Sequence, residues 1–239
     1  MTLLNKNFQL EPKLEKYWKK MEKETDTLEE QYINHPYPKP IENMDEMIKY
    51  NYNQVSGMKL LWQKIFPEKE YCENIDVLIA GCGTNQAVYH AMKFPKSKNY
   101  AIDISDSSIN HVKKMIKKFN IKNLEVEKKD IVDLDGYKKF DYIVSTGVIH
   151  HTINPQKSLD KLVSITKNDG ALFIMVYAIY LRLGIYYLQD VFKYLGLKPN
   201  QKGVHLIRNL IKLLPENHYA LNYINEINSS GILTIDGKK

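Results

Sequence analysis

"DVLIAGCGTNQAVYH", residues 76–90, decides the fold. Five strand-forming residues meet Gly81 and Gly83, and the chain then changes to the spacing of a helix. A strand that turns on glycines into a helix is a loop shaped to hold a nucleotide-type cofactor, because the backbone can turn tightly and approach a ligand. The dinucleotide fingerprint needs a third glycine at the position of Gln86, which argues against NAD. About twenty residues on, Asp103 ends the next apolar run, where a carboxylate accepts from ribose hydroxyls.

Working outward, residues 75–177 alternate between short strands and helices. "IDVLIAG", "NYAIDIS" (99–105), "NLEVEKKD" (123–130), "FDYIVSTG" (140–147) and "ALFIMVY" (171–177) read as strands. "NQAVYHAMKF", "DSSINHVKKMIKKF" (106–119) and "NPQKSLDKLVSIT" (154–166) read as helices, and "NDG" (168–170) as a turn. That alternation predicts an α/β fold, a Rossmann-like parallel sheet with helices on both faces. "GILTIDG" (231–237) is a weak sixth strand.

Polar, helix-patterned sequence flanks this core. Residues 1–70 are expected to form a helical N-terminal cap, with helices over 12–33 and 43–66, the second broken near Gly57. "NHPYPKP" (34–40) interrupts them, since its prolines fix φ and remove donors. Residues 71–178 form the expected cofactor-binding domain. Residues 179–239 are a helical C-terminal lid, shortened at the sheet edge or completed there by a partner chain.

Composition narrows the function classes. Of 239 residues, 44% are hydrophobic, as in an ordinary globular protein, and the longest apolar run (170–181) is too short to span a bilayer. The N-terminus has neither a basic flank with an apolar core nor a small-residue cleavage site, so no signal peptide is expected. Two cysteines make neither a disulfide framework nor a metal cluster, which points to a reducing cytoplasm. The net charge of +6 comes from lysines spread over solvated faces, without interleaved aromatics, so nucleic acid is not the expected partner. Only Arg182 and Arg208 are arginines. In so lysine-rich a chain, an arginine marks a place where a planar forked donor is wanted.

Residues 76–177 resemble the class I S-adenosylmethionine-dependent methyltransferases, whose first loop reads roughly Gly-x-Gly-x-Gly. "AGCGTNQ" matches with Asn85 in place of the third glycine, and Gly81, Cys82, Gly83, Asn85 and Gln86 are the implied loop contacts. "YAIDIS" looks like the second motif, placing Asp103 on the ribose and Ile104 against the adenine. "KKDIVDL" looks like the third, with Asp130 at the adenine amino group and Ile131 on its face. "FDYIVSTGVIHH" resembles the fourth and places Ser145 and Thr146 near the methionine end. "QYINHPYPKP" and "VYAIYLRLGIYYLQ" look like flanks of a bacterial subgroup sometimes fused to tetratricopeptide repeats, in which an arginine sits where Arg182 does.

The resemblance implies S-adenosylmethionine as cofactor and S-adenosylhomocysteine as product, with methyl transfer as the reaction. The expected acceptor is a small or medium molecule, and a homo-oligomer is open. His150 and His151, just past the fourth strand, are the candidate general bases, although either ring can equally serve packing. Tyr37, Tyr177, Tyr180 and Tyr186 are candidate acceptor contacts, and Arg182 a candidate grip on a carboxylate or phosphate. The Asn/Asp-Pro-Pro-aromatic motif of base-amine methyltransferases is absent, "STGV" standing in its place. A non-catalytic cofactor-binding module and a protein or nucleic-acid modifier remain alternatives. Asn85 is expected to stand in for glycine by tolerating positive φ.

Overall fold

The computed structural model describes residues 40–41, 43–44, 58–198 and 200–221. The helix expected over 12–33, the strand expected over 231–237 and Tyr37 lie outside the described residues. The described residues fall into two compact units, the first ending at Tyr177 and the second starting at Ala178.

In the first unit the elements follow as α1 (Met58–Ile65), β1 (Asp76–Ala80), α2 (Gln86–Lys93), β2 (Lys98–Asp103), α3 (Asp106–Lys118), β3 (Leu124–Lys128), β4 (Phe140–Thr146), α4 (Pro155–Ser164) and β5 (Thr166–Met175). Single 3₁₀ turns stand at Ile131–Asp133 and Ile149–His151. The five strands form one parallel sheet in the order β3-β2-β1-β4-β5. Strand order therefore reverses between β1 and β4, where open parallel sheets bind ligands beyond the strands' carboxyl ends.

Alternation along each strand feeds two cores. Val77 and Ile79 face α1, α2 and α3, among Trp62, Phe66, Tyr89, Val112 and Met115. Leu78 and Ala80 face the opposite side, among Phe140, Ile143, Leu162 and Ile165. Strands buried on both faces read as continuous apolar runs, which is why "VLIA" carries no polar interruption. The helix starts follow their sequence. Ser105 caps α3 by accepting from Ser108 N, and Asn154 caps α4 by accepting from Lys157 N with Pro155 at the first turn.

Two expectations need correction. The "NDG" turn does not form; residues 168–170 lie inside β5. Phe140 pairs with Thr166 and Tyr142 with Ala171, so five steps along β5 oppose two along β4. The surplus is a bulge, and regular pairing starts at Ala171. A Cβ on Gly170 would lie 2.9 Å from the Asp141 carbonyl oxygen and 3.0 Å from those of Lys167 and Phe140. The glycine thus serves a close backbone approach between strands, not a reversal.

The second correction is Asn85. Its φ is −122°, an ordinary conformation for any residue, and the strained-loop reading is wrong. Among the described residues, positive φ outside glycine occurs only at Asn120.

In the second unit, a 3₁₀ turn at Tyr180–Arg182 leads into α5 (Leu183–Tyr194), followed by α6 (Gln201–Lys212). Leu188 and Ala220 centre its small core, with Ile185, Phe192, Ile211, Leu214 and Leu221 against them. No helix among the described residues is long and apolar enough to cross a membrane.

Candidate active site

The loop after β1 is fixed from below and from the side. Gly81 N and Cys82 N both donate to the Ile102 carbonyl at 2.9 Å, which holds the turn against the end of β2. Gly81 and Gly83 have φ of +75° and +53°, a region that favours glycine. Asp103 Oδ2 accepts from Gly83 N and its Oδ1 from Ser105 N, each at 2.9 Å. The carboxylate thus ties the glycine loop to the start of α3. Burial holds the Asp103 carboxyl above the usual aspartate value, and the amides of Ser105, Gly83 and Ile104 pull it back in part. The Cys82 thiol is buried and pushed well up, first by burial and then by the Asp103 charge.

At the carboxyl ends of β2 and β3, Ile104, Lys128, Lys129, Asp130 and Asp133 line an open cleft. Ile104 offers an apolar wall and Asp130 an acceptor. Asp130 also caps the turn after β3 by accepting from Val132 N at 3.1 Å. Ile131 does not line this cleft. The capped turn rotates it under the sheet, where it is buried beside Leu134 and Phe140.

On the other side of the strand-order reversal, Gln86 Nε2 donates to Thr146 Oγ1 at 3.2 Å, joining the start of α2 to the end of β4. Ser145 is fully buried, and its hydroxyl has no hydrogen-bond partner among the described residues. Just beyond, His150, His151 and Tyr177 form a ring cluster. The His150 ring centre lies 4.1 Å from that of His151 and 4.1 Å from that of Tyr177, while His151 and Tyr177 meet edge to face at 5.6 Å. The structure thus brings three separately expected residues together past the ends of β4 and β5.

Tyr180, Arg182 and Tyr186 belong to the second unit. Tyr180 is exposed, while Arg182, at the N-terminus of α5, and Tyr186, on that helix, are half-buried. Sequence reasoning missed Val148, whose side chain stands against Gly81, and Ile41, whose amide donates to Asn85 Oδ1 at 2.9 Å. It also missed Lys128, Lys129 and Asp133 on the cleft wall. The charged run "EKKD" was the available signal there, but it read as a solvated strand end.

Residues 72–220, more than half of the chain, match the family model described as a methyltransferase domain. The chain belongs to the methyltransferase domain family. An uncharacterized protein of Rickettsia prowazekii is 35% identical over 106 residues, 43% of this methyltransferase-domain chain and 42% of that protein. A probable (S)-tetrahydroprotoberberine N-methyltransferase of Papaver bracteatum is 29% identical over 111 residues, 44% of the chain and 31% of that protein. Among solved structures, PKMT2 of Rickettsia typhi in complex with AdoHcy superposes with a TM-score of 0.56 at 24% identity. The match covers 77% of this chain and 38% of that one, and it carries the fold. The chain spans less than half the length of each of these relatives.

Proposed function

We propose that this methyltransferase domain binds S-adenosylmethionine at the loop after β1 and transfers its methyl group to a small or medium acceptor. The observation that carries the reading is the Asp103 carboxylate, pinned by Gly83 and Ser105 at the end of β2 beside the cleft of Ile104 and Asp130. The amides of Gly83, Ser105 and Ile104 occupy part of a carboxylate's acceptor capacity, roughly four lone-pair sites. The remainder suits the paired hydroxyls of a ribose. Ile104 would take the apolar face of an adenine and Asp130 its amino group. The residues present therefore fit the cofactor, and the AdoHcy held by PKMT2 supports the same reading.

When bound, the cofactor supplies an already activated methyl group on a sulfonium. What remains for the chain is to align the acceptor and accept any proton the acceptor must lose. His150 or His151, whose imidazoles stand past β4, would take that proton. Tyr177, tilted against the His150 ring and edge-on to that of His151, would fix their orientation. Arg182 would hold a carboxylate or phosphate of the acceptor. A binding module without catalysis is the alternative, and binding of S-adenosylmethionine without turnover across a broad acceptor panel would favour it.

Calorimetric titration with S-adenosylhomocysteine tests the cofactor assignment, and no binding would overturn it. Transfer of labelled methyl from S-adenosylmethionine to a panel of amines, carboxylates and phosphates tests the acceptor. Turnover confined to a protein or nucleic-acid polymer, with salt-sensitive binding, would replace the small-acceptor reading.

A further inference from the structure

An asparagine just before a helix ordinarily spends its side-chain oxygen on a backbone amide of the first turn, which stabilises the helix by about 1 kcal/mol. Asn85 holds that position ahead of α2 and makes no such bond. Its Oδ1 accepts instead from the amide of Ile41, 44 positions earlier, at 2.9 Å. Asn85 is 2% exposed, so water does not compete for the bond. The stretch it holds is also packed down: Ile41 packs against the core that the sheet shares with α1, α2 and α3, and Met44 is fully buried within it. The tie lands two residues from Gly83, whose own amide is fixed by Asp103. A glycine at position 85 would have no side-chain oxygen to offer.

We infer that Asn85 is a positioning residue that docks the stretch around Ile41 onto the cofactor loop, so that docking of this stretch and occupancy of the loop stabilise each other. The coupling rests on the cofactor assignment proposed above. The sequence gives up a helix cap to make a long-range tie at the cofactor loop. Whatever orders residues 81–86 also orders the acceptor that Ile41 needs, and the effect is reciprocal by linkage.

Hydrogen exchange at the Ile41 amide, read together with the dissociation rate of S-adenosylhomocysteine, tests this in the wild-type chain, Asn85→Ala and Asn85→Asp. In the wild type, saturating S-adenosylhomocysteine slows Ile41 exchange by tenfold or more. Asn85→Ala speeds exchange and releases S-adenosylhomocysteine about tenfold faster, whereas Asn85→Asp, which keeps an oxygen acceptor, stays near wild type in both. Unchanged release from Asn85→Ala would overturn the coupling while leaving the cofactor assignment intact. Should Asn85→Ala fail to fold, wild-type Ile41 exchange that is indifferent to the ligand overturns the coupling by itself. Failure of the wild type to bind S-adenosylhomocysteine overturns the cofactor assignment and the coupling with it.

Discussion

Val148 closes over Gly81: a Cβ placed on the glycine would lie 2.6 Å from Val148 Cγ1 and 3.0 Å from its Cβ. The turn after β4 is thereby seated on the turn after β1, across the strand-order reversal. Gly81 is held to glycine twice over, by its φ of +75° and by this neighbour. Gly81→Ala is expected to destabilise the fold by roughly 2–6 kcal/mol, the sum of backbone strain and overpacking. Adding Val148→Ala should recover about 1–3 kcal/mol, the overpacking share, and leave the strain. Urea denaturation of the two variants checks this, and no recovery in the double variant would show that Val148 does not set the constraint.

Asp103→Ala removes the acceptor for Gly83 N and Ser105 N together with any ribose contact. Affinity for S-adenosylhomocysteine is expected to fall by about 1.5–3 kcal/mol, as for a lost charge-assisted hydrogen bond. Calorimetric titration gives the answer, and unchanged affinity would take Asp103 out of the site.

His90 lies in the core at 0% exposure, and neither ring nitrogen has a hydrogen-bond partner among the described residues. Burial holds its pKa down at about 4, from 6.5. Below pH 6.5 the unfolded chain takes up a proton there that the folded chain refuses. The stability tied to neutral His90 is therefore complete above pH 6.5 and drains away as pH falls toward 4, by roughly 3 kcal/mol. His90→Phe keeps the ring contacts with Phe94 and Tyr142 and has nothing to protonate. Its advantage over wild type should widen steadily between pH 6.5 and 4 in denaturant titrations. A pH-independent difference would mean that His90 does not titrate in this range.

Arg182 stands at the N-terminal end of α5, where the helix dipole opposes a cation by about 0.3–1 kcal/mol. Arg182→Lys meets the same dipole with the same charge, so the substitution isolates the planar fork. Turnover with a carboxylate- or phosphate-bearing acceptor should fall by about tenfold, or roughly 1.4 kcal/mol, while S-adenosylhomocysteine affinity holds. Equal turnover in the two proteins would make Arg182 a packing residue.

Much of the fold was legible because parallel strands buried on both faces write continuous apolar runs, and because Ser105 and Asn154 announce helix starts. The glycine loop and Asp103 were legible for a local reason, their spacing along one strand-turn-helix unit. What escaped depends on partners distant in sequence. The side chain of Asn85 is tied to Ile41, and Val148, sixty-seven positions away, adds a second demand for glycine at 81 to that of its φ. Ile131 is expected on the adenine face only through the resemblance of "KKDIVDL" to the third motif, whereas the Asp130 cap turns it inward. Gly170 reads as a turn to any local rule, since only the approach of Asp141 and Phe140 shows what it is for.

The bulge in β5 separates the two ends of that strand mechanically. Upstream of Ala171 the chain carries surplus length at the sheet's amino edge, where Lys69 Nζ meets the Asp169 carboxylate at 2.8 Å on an exposed surface. Downstream, alternation is locked to β4 residue by residue as far as Thr146 and Met175. An added or deleted residue near Asp169 can be taken up in the slack, so the phase of the side chains leading to Tyr177 is preserved. That edge is accordingly the natural attachment point for a fluorophore or a fused peptide. The phase-locked half beyond Ala171 would turn every side chain to the wrong face after a single inserted residue.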